Sequence, residues 1–286
     1  MNLTNVGMVQ ASFLELTGYP TGLKIQSPDL TNASNTELEN IQIVGETSEE
    51  TPRNSDTGIK IGANVALTAQ NVIINDYQVG MDLAYAEQSL IRNTALLTNI
   101  RVRNSSTTSR TESYGIKAMN LQNLTAEGIT IMNCTSGIVL NNSAIPGITN
   151  AELNELRIGG LRDDPDRQSD VGLEILGDVQ CEIDDLETRE FATGIKIVGN
   201  SQNRLRTTPL LTNIRVRNSS SSSRTESIGI IARNLAGISL SKCIVFPHLM
   251  DTPNQNSLGA AIMADAVGTM NIDHCTLWGF ENGIRL

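Results

Sequence analysis

The sequence predicts an all-β solenoid of about ten coils, alternating long and short, in a single domain spanning residues 1–286. The first observation is an internal repeat: Leu96–Ser113 returns at Leu210–Ser227 with changes only at Thr107/Ser221 and Thr108/Ser222. A long repeat indicates a solenoid, in which each unit packs on its neighbours. The second is a composition low in aromatic (3%) and charged (18%) residues, which suits short strands and polar turns.

The third observation is a recurring glycine followed by an apolar, variable, apolar triplet. These marker glycines are Gly22, Gly58, Gly80, Gly115, Gly137, Gly172, Gly194, Gly229, Gly259 and Gly283. Their spacing alternates between about 35 and 22 residues as far as Gly229 and is then 30 and 24, so one long and one short coil form a unit of about 57 residues. Two such units give the 114-residue offset of the internal repeat.

A second alternating triplet precedes each marker glycine, by eight residues in short coils and about sixteen in long ones. These triplets begin at Ile41, Val72, Ile100, Ile129, Leu156, Leu186, Ile214, Cys243 and Cys275. Side chains of a strand alternate between its two faces. The first and third residues are therefore expected to face inward, and the middle residue outward.

The position before each second triplet is rich in residues that tolerate a left-handed backbone and bond locally at bends. This turn column reads Asn40, Asn71, Asn99, Gly128, Glu155, Asp185, Asn213, Lys242 and His274. It predicts a bend in every coil and a ladder of Asn side chains between coils.

These periodic features resemble the right-handed parallel β-helix of the pectate-lyase-like superfamily, and the resemblance covers the whole chain. It implies enzymes that act on polysaccharides, either lyases using Arg or Lys with carboxylate-bound Ca²⁺ or hydrolases with paired Asp residues. Such hydrolases carry Asn-Thr-Asp, Asp-Asp, Gly-His-Gly and Arg-Ile-Lys in order. Only Asp-Asp is present, at Asp163-Asp164 and at Asp184-Asp185.

The loop GGLRDDPDRQSD supplies the candidate catalytic carboxylates Asp163, Asp164 and Asp166. An exposed acidic turn and a weak Ca²⁺ contact are alternative interpretations of this loop. No other cofactor is predicted. Asp185 belongs to the turn column and is expected to be structural. The few aromatic residues weigh against a sugar-processing cleft, which usually needs flat rings.

The cysteines and histidines show no metal-ligand spacing. Cys243 and Cys275 occupy the same inward column on adjacent coils, so stacked thiols and a disulfide both stay open. His274 lies in the turn column, where a turn role is expected. His248 lies in a loop without an evident acid or nucleophile nearby.

Outward residues of successive strands should stack about 4.8 Å apart. In the second triplets, Arg101, Arg157 and Arg215 recur on alternate coils, with Thr130 and Glu187 between them. In the marker triplets the outward column reads Lys24, Lys60, Asp82, Lys117, Val139, Glu174, Lys196, Ile231, Ala261 and Arg285. Pairing of opposite charges across strands is expected for most of these ionic residues.

The long coils insert loops before the marker glycine, at 44–57, 103–114, 159–171, 217–228 and 246–258. We expect these loops to project from one edge as a continuous surface, where recognition usually resides. The recurrent Arg-Thr-Glu places Arg110, Glu112, Arg224 and Glu226 on this candidate partner-binding edge. Adjacent opposite charges could equally pair with each other there.

Charge and hydropathy exclude two classes of partner. A formal net charge of −10 and a pI near 4.7 argue against nucleic acid, which needs a basic face. No apolar run is long enough to span a bilayer, and the opening MNLTNVGMVQ lacks the regions of a signal peptide. We therefore expect either a cytosolic protein or an export signal that this sequence omits.

The ends of the repeat show no obvious polar cap, which favours end-to-end self-association or continuation into a longer solenoid. The leading hypothesis is a non-enzymatic structural or adhesive protein of the extracellular space or cell surface, such as a filament subunit or stalk. The alternative is a polysaccharide-binding or polysaccharide-cleaving β-helix, including a phage tail-spike-like module.

Overall fold

The computed structural model describes residues 1–4, 8–26, 34–45, 57–84, 93–104, 113–142, 147–160, 171–200, 207–218, 227–247 and 257–286. The regular structure within these ranges is all β-strand, and no helix there could cross a membrane. The strands are β1 (Asn2–Thr4), β2 (Met8–Ser12), β3 (Glu15–Thr17), β4 (Thr21–Gln26), β5 (Ser34–Val44), β6 (Thr57–Ile61), β7 (Val65–Asn75), β8 (Val79–Ala84), β9 (Thr94–Arg103), β10 (Tyr114–Met119), β11 (Asn123–Met132), β12 (Ser136–Asn142), β13 (Thr149–Gly159), β14 (Val171–Gly177), β15 (Val179–Arg189), β16 (Thr193–Val198), β17 (Leu210–Asn218), β18 (Ser227–Ser241), β19 (Ile244–Pro247), β20 (Ser257–Asp273), β21 (Thr276–Leu277) and β22 (Phe280–Arg285).

Each strand pairs in parallel with the equivalent strand of the next coil. The even-numbered series runs from β4 to β22 and contains the marker glycines. The odd-numbered series runs from β5 to β17 and continues into β19 and β21. The predicted all-β parallel β-helix is therefore confirmed. The coil count, the 57-residue double repeat and the single domain stay predictions.

In each coil, the run of strand that leads into the second triplet bends at one residue with a left-handed backbone conformation, which we call the corner. The corner divides this run of strand into two arms. The nine corner residues are those of the turn column, Asn40, Asn71, Asn99, Gly128, Glu155, Asp185, Asn213, Lys242 and His274, with φ between 50° and 66°. We call the strand before the corner the long arm and the strand after it the short arm. The predicted bend is confirmed at every position of the column.

The Asn ladder forms where consecutive corners carry asparagine. The Asn99 Nδ2 group donates to Asn71 Oδ1 at 2.7 Å, and Asn71 Nδ2 donates to Asn40 Oδ1 at 3.1 Å. Each bond joins one coil to the coil before it. The amides therefore stabilise a backbone conformation that most residues avoid.

The core is a column of side chains along the axis of the solenoid. The first and third residues of the first eight second triplets are buried, as predicted: Ile41, Ile43, Val72, Ile74, Ile100, Val102, Ile129, Ile131, Leu156, Ile158, Leu186, Thr188, Ile214, Val216, Cys243 and Val245. In the ninth triplet Cys275 and Leu277 are only partly buried against this core.

The marker glycines from Gly22 to Gly229 are required because successive strands approach closely there. A Cβ at Gly172 would lie 2.6 Å from the carbonyl oxygen of Gly194 and 2.9 Å from Thr188 Cγ2. The prediction that Gly259 continues this column is wrong. Ala261 stacks on Gly229, and Gly259 instead pairs with Ser227.

This correction also moves the outward column by two residues. Met263, not Ala261, pairs with Ile231 on one side and with Arg285 on the other. The alternation of inward and outward residues is unchanged by a shift of two, so the period alone did not distinguish the registers.

Candidate functional site

The loop residues singled out in the sequence lie outside the described part of the chain. Asp163, Asp164 and Asp166 fall between β13 and β14. Arg110 and Glu112 precede β10, and Arg224 and Glu226 precede β18, again outside the described ranges. Their roles in catalysis, Ca²⁺ contact or partner binding stay predictions. His248 also lies outside those ranges.

The cysteines that were predicted to face inward are free thiols. The backbone N–H of Cys243 donates to Cys275 Sγ at 3.4 Å, so the two side chains stack without a disulfide. Burial, with a smaller contribution from Cys275, raises the pKa of the Cys243 thiol to about 12. Burial also raises the pKa of Cys181 to about 12, with Glu182 adding to the shift. Thiols held protonated in this way are poor nucleophiles and poor metal ligands.

Neither histidine chemistry nor a metal centre emerges from the described residues. His274 has a left-handed backbone and its Nδ1 lies 2.7 Å from Asp273 Oδ1, with both side chains largely exposed. The predicted turn role of His274 is therefore confirmed. In the described ranges no three His, Cys, Asp or Glu side chains are grouped as metal ligands would be.

The marker strands show the predicted pairing of opposite charges. Lys60 Nζ lies 3.4 Å from Asp82 Oδ2, and Lys196 Nζ lies 2.7 Å from Glu174 Oε1. Lys117 lies over the ring of Tyr114, 5.4 Å from its centroid. Two lysines of this column are thus paired with carboxylates, whereas Lys117 contacts an aromatic ring.

The short arms present a concentration of arginines, which we call the arginine face. It consists of Arg101, Arg103, Arg157, Arg189, Arg215 and Arg217, at the two outward positions of β9, β13, β15 and β17. The first outward position was recognised in the sequence. The second was missed because Arg103 and Arg217 were assigned to the loops, although the two-residue period already placed them outward.

Arg157 is the anchored member of the arginine face. Its Nη2 donates to both carboxylate oxygens of Asp185, at 3.0 and 2.8 Å, and its Nη1 donates to the backbone oxygen of Asp185 at 2.8 Å. Its Nε lies 3.9 Å from Glu187 Oε2. The hydrogen bond to Asp185 raises the pKa of Arg157, so the guanidinium is a permanent cation. The corner residue Asp185 thus has an ionic role besides its predicted structural one.

The other arginines are less compensated. Arg101, Arg103, Arg189 and Arg215 are exposed, and none forms a salt bridge within the described ranges. Within the described ranges, the predicted charge pairing is therefore not seen at Arg101 and Arg215. Such free guanidinium groups offer paired N–H donors suited to planar carboxylates or sulfates.

A shallow depression of about 160 Å³ lies in the middle of the arginine face. It is lined by Met132, Arg157, Ile158, Glu187 and Arg189. Gly159 separates Met132 from Arg189 in the outward column, and the missing side chain leaves the gap. Arg189 Nη2 reaches across to within 3.6 Å of Met132 Sδ.

An aromatic pair continues the second outward column beyond Arg217. Phe246 follows Arg217 in the strand pairing, and the Phe246 and Trp278 rings stack with centroids 5.3 Å apart and planes 4° apart. Trp278 is 41% exposed. The low aromatic content therefore does not prevent a flat apolar surface beside the arginines.

The long arms present the opposite charge, and we call their outward surface the acidic face. Its carboxylates are Glu37, Glu39, Glu127, Glu152, Glu182, Asp184 and Asp273. The described long arms carry no Lys or Arg. An open depression of about 380 Å³ on this face is lined by Glu152, Asn154, Glu182, Asp184, Leu210 and Thr212, among others.

The fold is similar to that of a polygalacturonase from Erwinia carotovora ssp. carotovora, with a TM-score of 0.50 and 9% sequence identity. The match covers 93% of this chain and 73% of that one. No protein-family model and no curated protein sequence matches the chain. The likeness shows that the two chains share the parallel β-helix fold.

Proposed function

We propose that this chain is an extracellular or surface-displayed adhesive β-helix that binds an anionic polysaccharide along its arginine face. The observation that carries the proposal is the row of exposed arginines Arg101, Arg103, Arg189 and Arg215, without salt bridges in the described ranges, in a chain of net charge −10. Exposed arginines that lie close together on one face repel one another, so an anionic partner is favoured there.

The spacing of the face suits an extended polymer. Neighbouring strands lie about 4.8 Å apart, so a chain laid along the axis meets arginines repeatedly without bending. Bidentate contacts to carboxylate or sulfate groups would supply orientation as well as attraction. The structural neighbour is a polygalacturonase, whose name implies a carboxylate polymer, and polygalacturonate is accordingly the first probe.

Binding is favoured over cleavage by the state of the carboxylates on this face. Asp185 and Glu187 both contact Arg157, so these carboxylates are engaged in ion pairs. The cleavage alternative rests on Asp163 and Asp164. New reducing or unsaturated ends that vanish in Asp163→Ala and Asp164→Ala, with or without Ca²⁺, would support that alternative instead.

The test of the binding proposal is calorimetric titration with polygalacturonate, a sulfated polysaccharide and neutral dextran. Arg101→Gln/Arg103→Gln should weaken binding to the acidic polymers at least tenfold. The matched control is Lys24→Gln/Lys117→Gln, which removes the same charge from the marker strands and should change binding less than twofold. Equal losses in both variants, or equal binding of dextran, would overturn the proposal.

End-to-end stacking of copies, or continuation into further coils of a longer chain, is a separate proposal about assembly. Imaging of purified protein by electron microscopy tests it directly. Rods whose lengths are multiples of one unit would support self-stacking. Uniform single rods at every concentration, together with a gene extending beyond Leu286, would support a longer solenoid.

A further inference from the structure

We propose that copies of this chain also associate side by side, with the acidic face of one copy packed against the arginine face of the next. The occupant of the acidic face is thus a second copy of the same chain. The proposal rests on charge complementarity. The described residues of the acidic face include no Lys or Arg, whereas the arginine face of the same elongated molecule carries six arginines.

The carboxylates of the acidic face are concentrated on three successive strands. Glu127 lies on β11, Glu152 on β13, and Glu182 and Asp184 on β15. Glu152 and Glu182 are direct neighbours in the strand pairing, which places two like charges side by side. Like charges in this arrangement repel, so a cationic partner that neutralises both is favoured.

Four arginines of the arginine face lie at nearly the same height along the solenoid axis as these carboxylates. Arg157 lies on β13, Arg189 on β15, and Arg215 and Arg217 on β17. Strands β13 and β15 therefore supply a carboxylate to one face and an arginine to the other. Two copies set side by side at nearly equal height bring the two clusters together, and the common strand spacing keeps them in step.

Apolar side chains next to both clusters complete the surface. Leu210 pairs with Glu182 on the acidic face and is 40% exposed. Ile244 pairs with Arg215 on the arginine face and is 37% exposed. Protein interfaces combine buried apolar contacts with charges at their margin, and each face offers both.

The symmetry of this contact determines the kind of assembly. Two different faces meet, so the contact is heterologous, and an open assembly of any size still presents one free face of each kind. The expected product is an open lateral array whose size increases with concentration. A closed dimer of fixed mass is not expected.

The arginine face takes part in both proposals, whereas the acidic face serves only this one. An anionic polysaccharide should therefore compete with lateral association. Substitutions on the acidic face should abolish association and leave polysaccharide binding intact, which separates the failure of one proposal from the failure of the other.

Sedimentation velocity of the full chain over a range of concentrations tests the inference. In about 0.05 M salt the mean sedimentation coefficient should rise with concentration, and in about 0.5 M salt it should return to the single-rod value, because added salt shortens the range of charge interactions. Salt also screens the repulsion between copies of net charge −10, so a loss of association on adding salt identifies the face-to-face contact as its cause.

Two charge-reversal variants make the test specific. Glu152→Arg/Glu182→Arg and Arg215→Glu/Arg217→Glu should each associate at least tenfold more weakly than the parent chain. Mixed in equal amounts they should associate again, because each supplies the face that the other lost. Circular dichroism confirms that both variants fold.

Three results would overturn the inference. They are a parent chain that stays a single rod at every concentration in low salt, variants that associate like the parent, and a mixture that does not recover association. If recovery fails while polygalacturonate still binds to the acidic-face variant, the lateral contact is refuted and the binding proposal survives.

Discussion

Close packing of the marker glycines makes a single added methyl group costly, and Gly172→Ala is the sharpest test. Gly172 stacks on Gly194 in the even-numbered strands, with Thr188 of the neighbouring strand beneath it. A Cβ at this position would lie 2.6 Å from the Gly194 carbonyl oxygen and 2.9 Å from Thr188 Cγ2. Ordinary contacts of this kind are about 3.5–4.0 Å, so the strands must separate by several tenths of an ångström.

The expected loss of stability follows from two opposing terms. Forcing an extra methyl group into a well-packed core costs about 1–3 kcal/mol. Replacing Gly by Ala where the backbone conformation permits it restricts the unfolded chain and returns about 0.4–1 kcal/mol. The net loss is therefore about 1–2 kcal/mol, which corresponds to a lower midpoint of thermal unfolding by a few degrees.

The assay is urea unfolding of the parent chain, Gly172→Ala and Gly283→Ala, followed by circular dichroism. Gly283 is the matched control, because an added Cβ there would meet no atom within 4 Å. Gly283→Ala should be neutral or slightly stabilising. If Gly172→Ala is as stable as Gly283→Ala, the close approach of strands at the marker column is wrong.

Three further outcomes concern buried and corner residues. Burial raises the pKa of the Cys181 thiol from 9.0 to about 12, so as the pH rises the thiol ionises first in the unfolded chain. The free energy of unfolding should therefore fall between pH 9 and 12, by up to about 1.4 kcal/mol per pH unit. Urea unfolding of Cys181→Val should show a shallower alkaline slope, and an unchanged slope would contradict a protonated buried thiol. Asn99→Ala should lower the free energy of unfolding by about 1–2 kcal/mol in the same assay, because Asn99 has a φ of 52° that alanine avoids. Asn99→Gly should recover most of that loss, since glycine adopts this conformation freely. Equal losses in the two variants would mean that backbone strain contributes nothing. Asp185→Asn should cost only about 1 kcal/mol or less, since Arg157 and Asp185 are both partly exposed, and a much larger loss in thermal unfolding would show that the pair is more strongly coupled.

The periodic part of the fold was predictable because it depends on local rules. Alternation of side chains identified Ile41 and Ile43 as inward residues, and the preference of Asn for left-handed backbone identified Asn40 as a corner. The register near the end was not predictable in the same way. Gly259 and Ala261 both fit an alternating pattern, and only the packing against Ser227 and Gly229 distinguishes them.

The candidate site was less predictable because it depends on contacts between coils. The sequence placed Glu187 beside Arg157, but the main partner proved to be Asp185, whose corner position turns its carboxylate toward the preceding coil. The second column of arginines had a sequence signal, since Arg103 is two residues from Arg101. It was missed because the strands extend to Arg103 and Asn218, beyond the triplets.

The hydrogen bonds that the corner asparagine side chains donate to the neighbouring coil all point the same way along the solenoid axis. Asn71 and Asn99 each donate to the coil before, and Asn213 Nδ2 likewise donates to Asp184 Oδ1 at 2.8 Å. Every one of these donors points toward the amino-terminal coil, and the Asn71 oxygen faces the next coil and accepts from Asn99. A coil that carries a corner asparagine can therefore dock on the carboxyl side of a finished coil without reorienting any amide already in place. The two ends of such a stack are chemically unlike, even though its repeats are nearly the same.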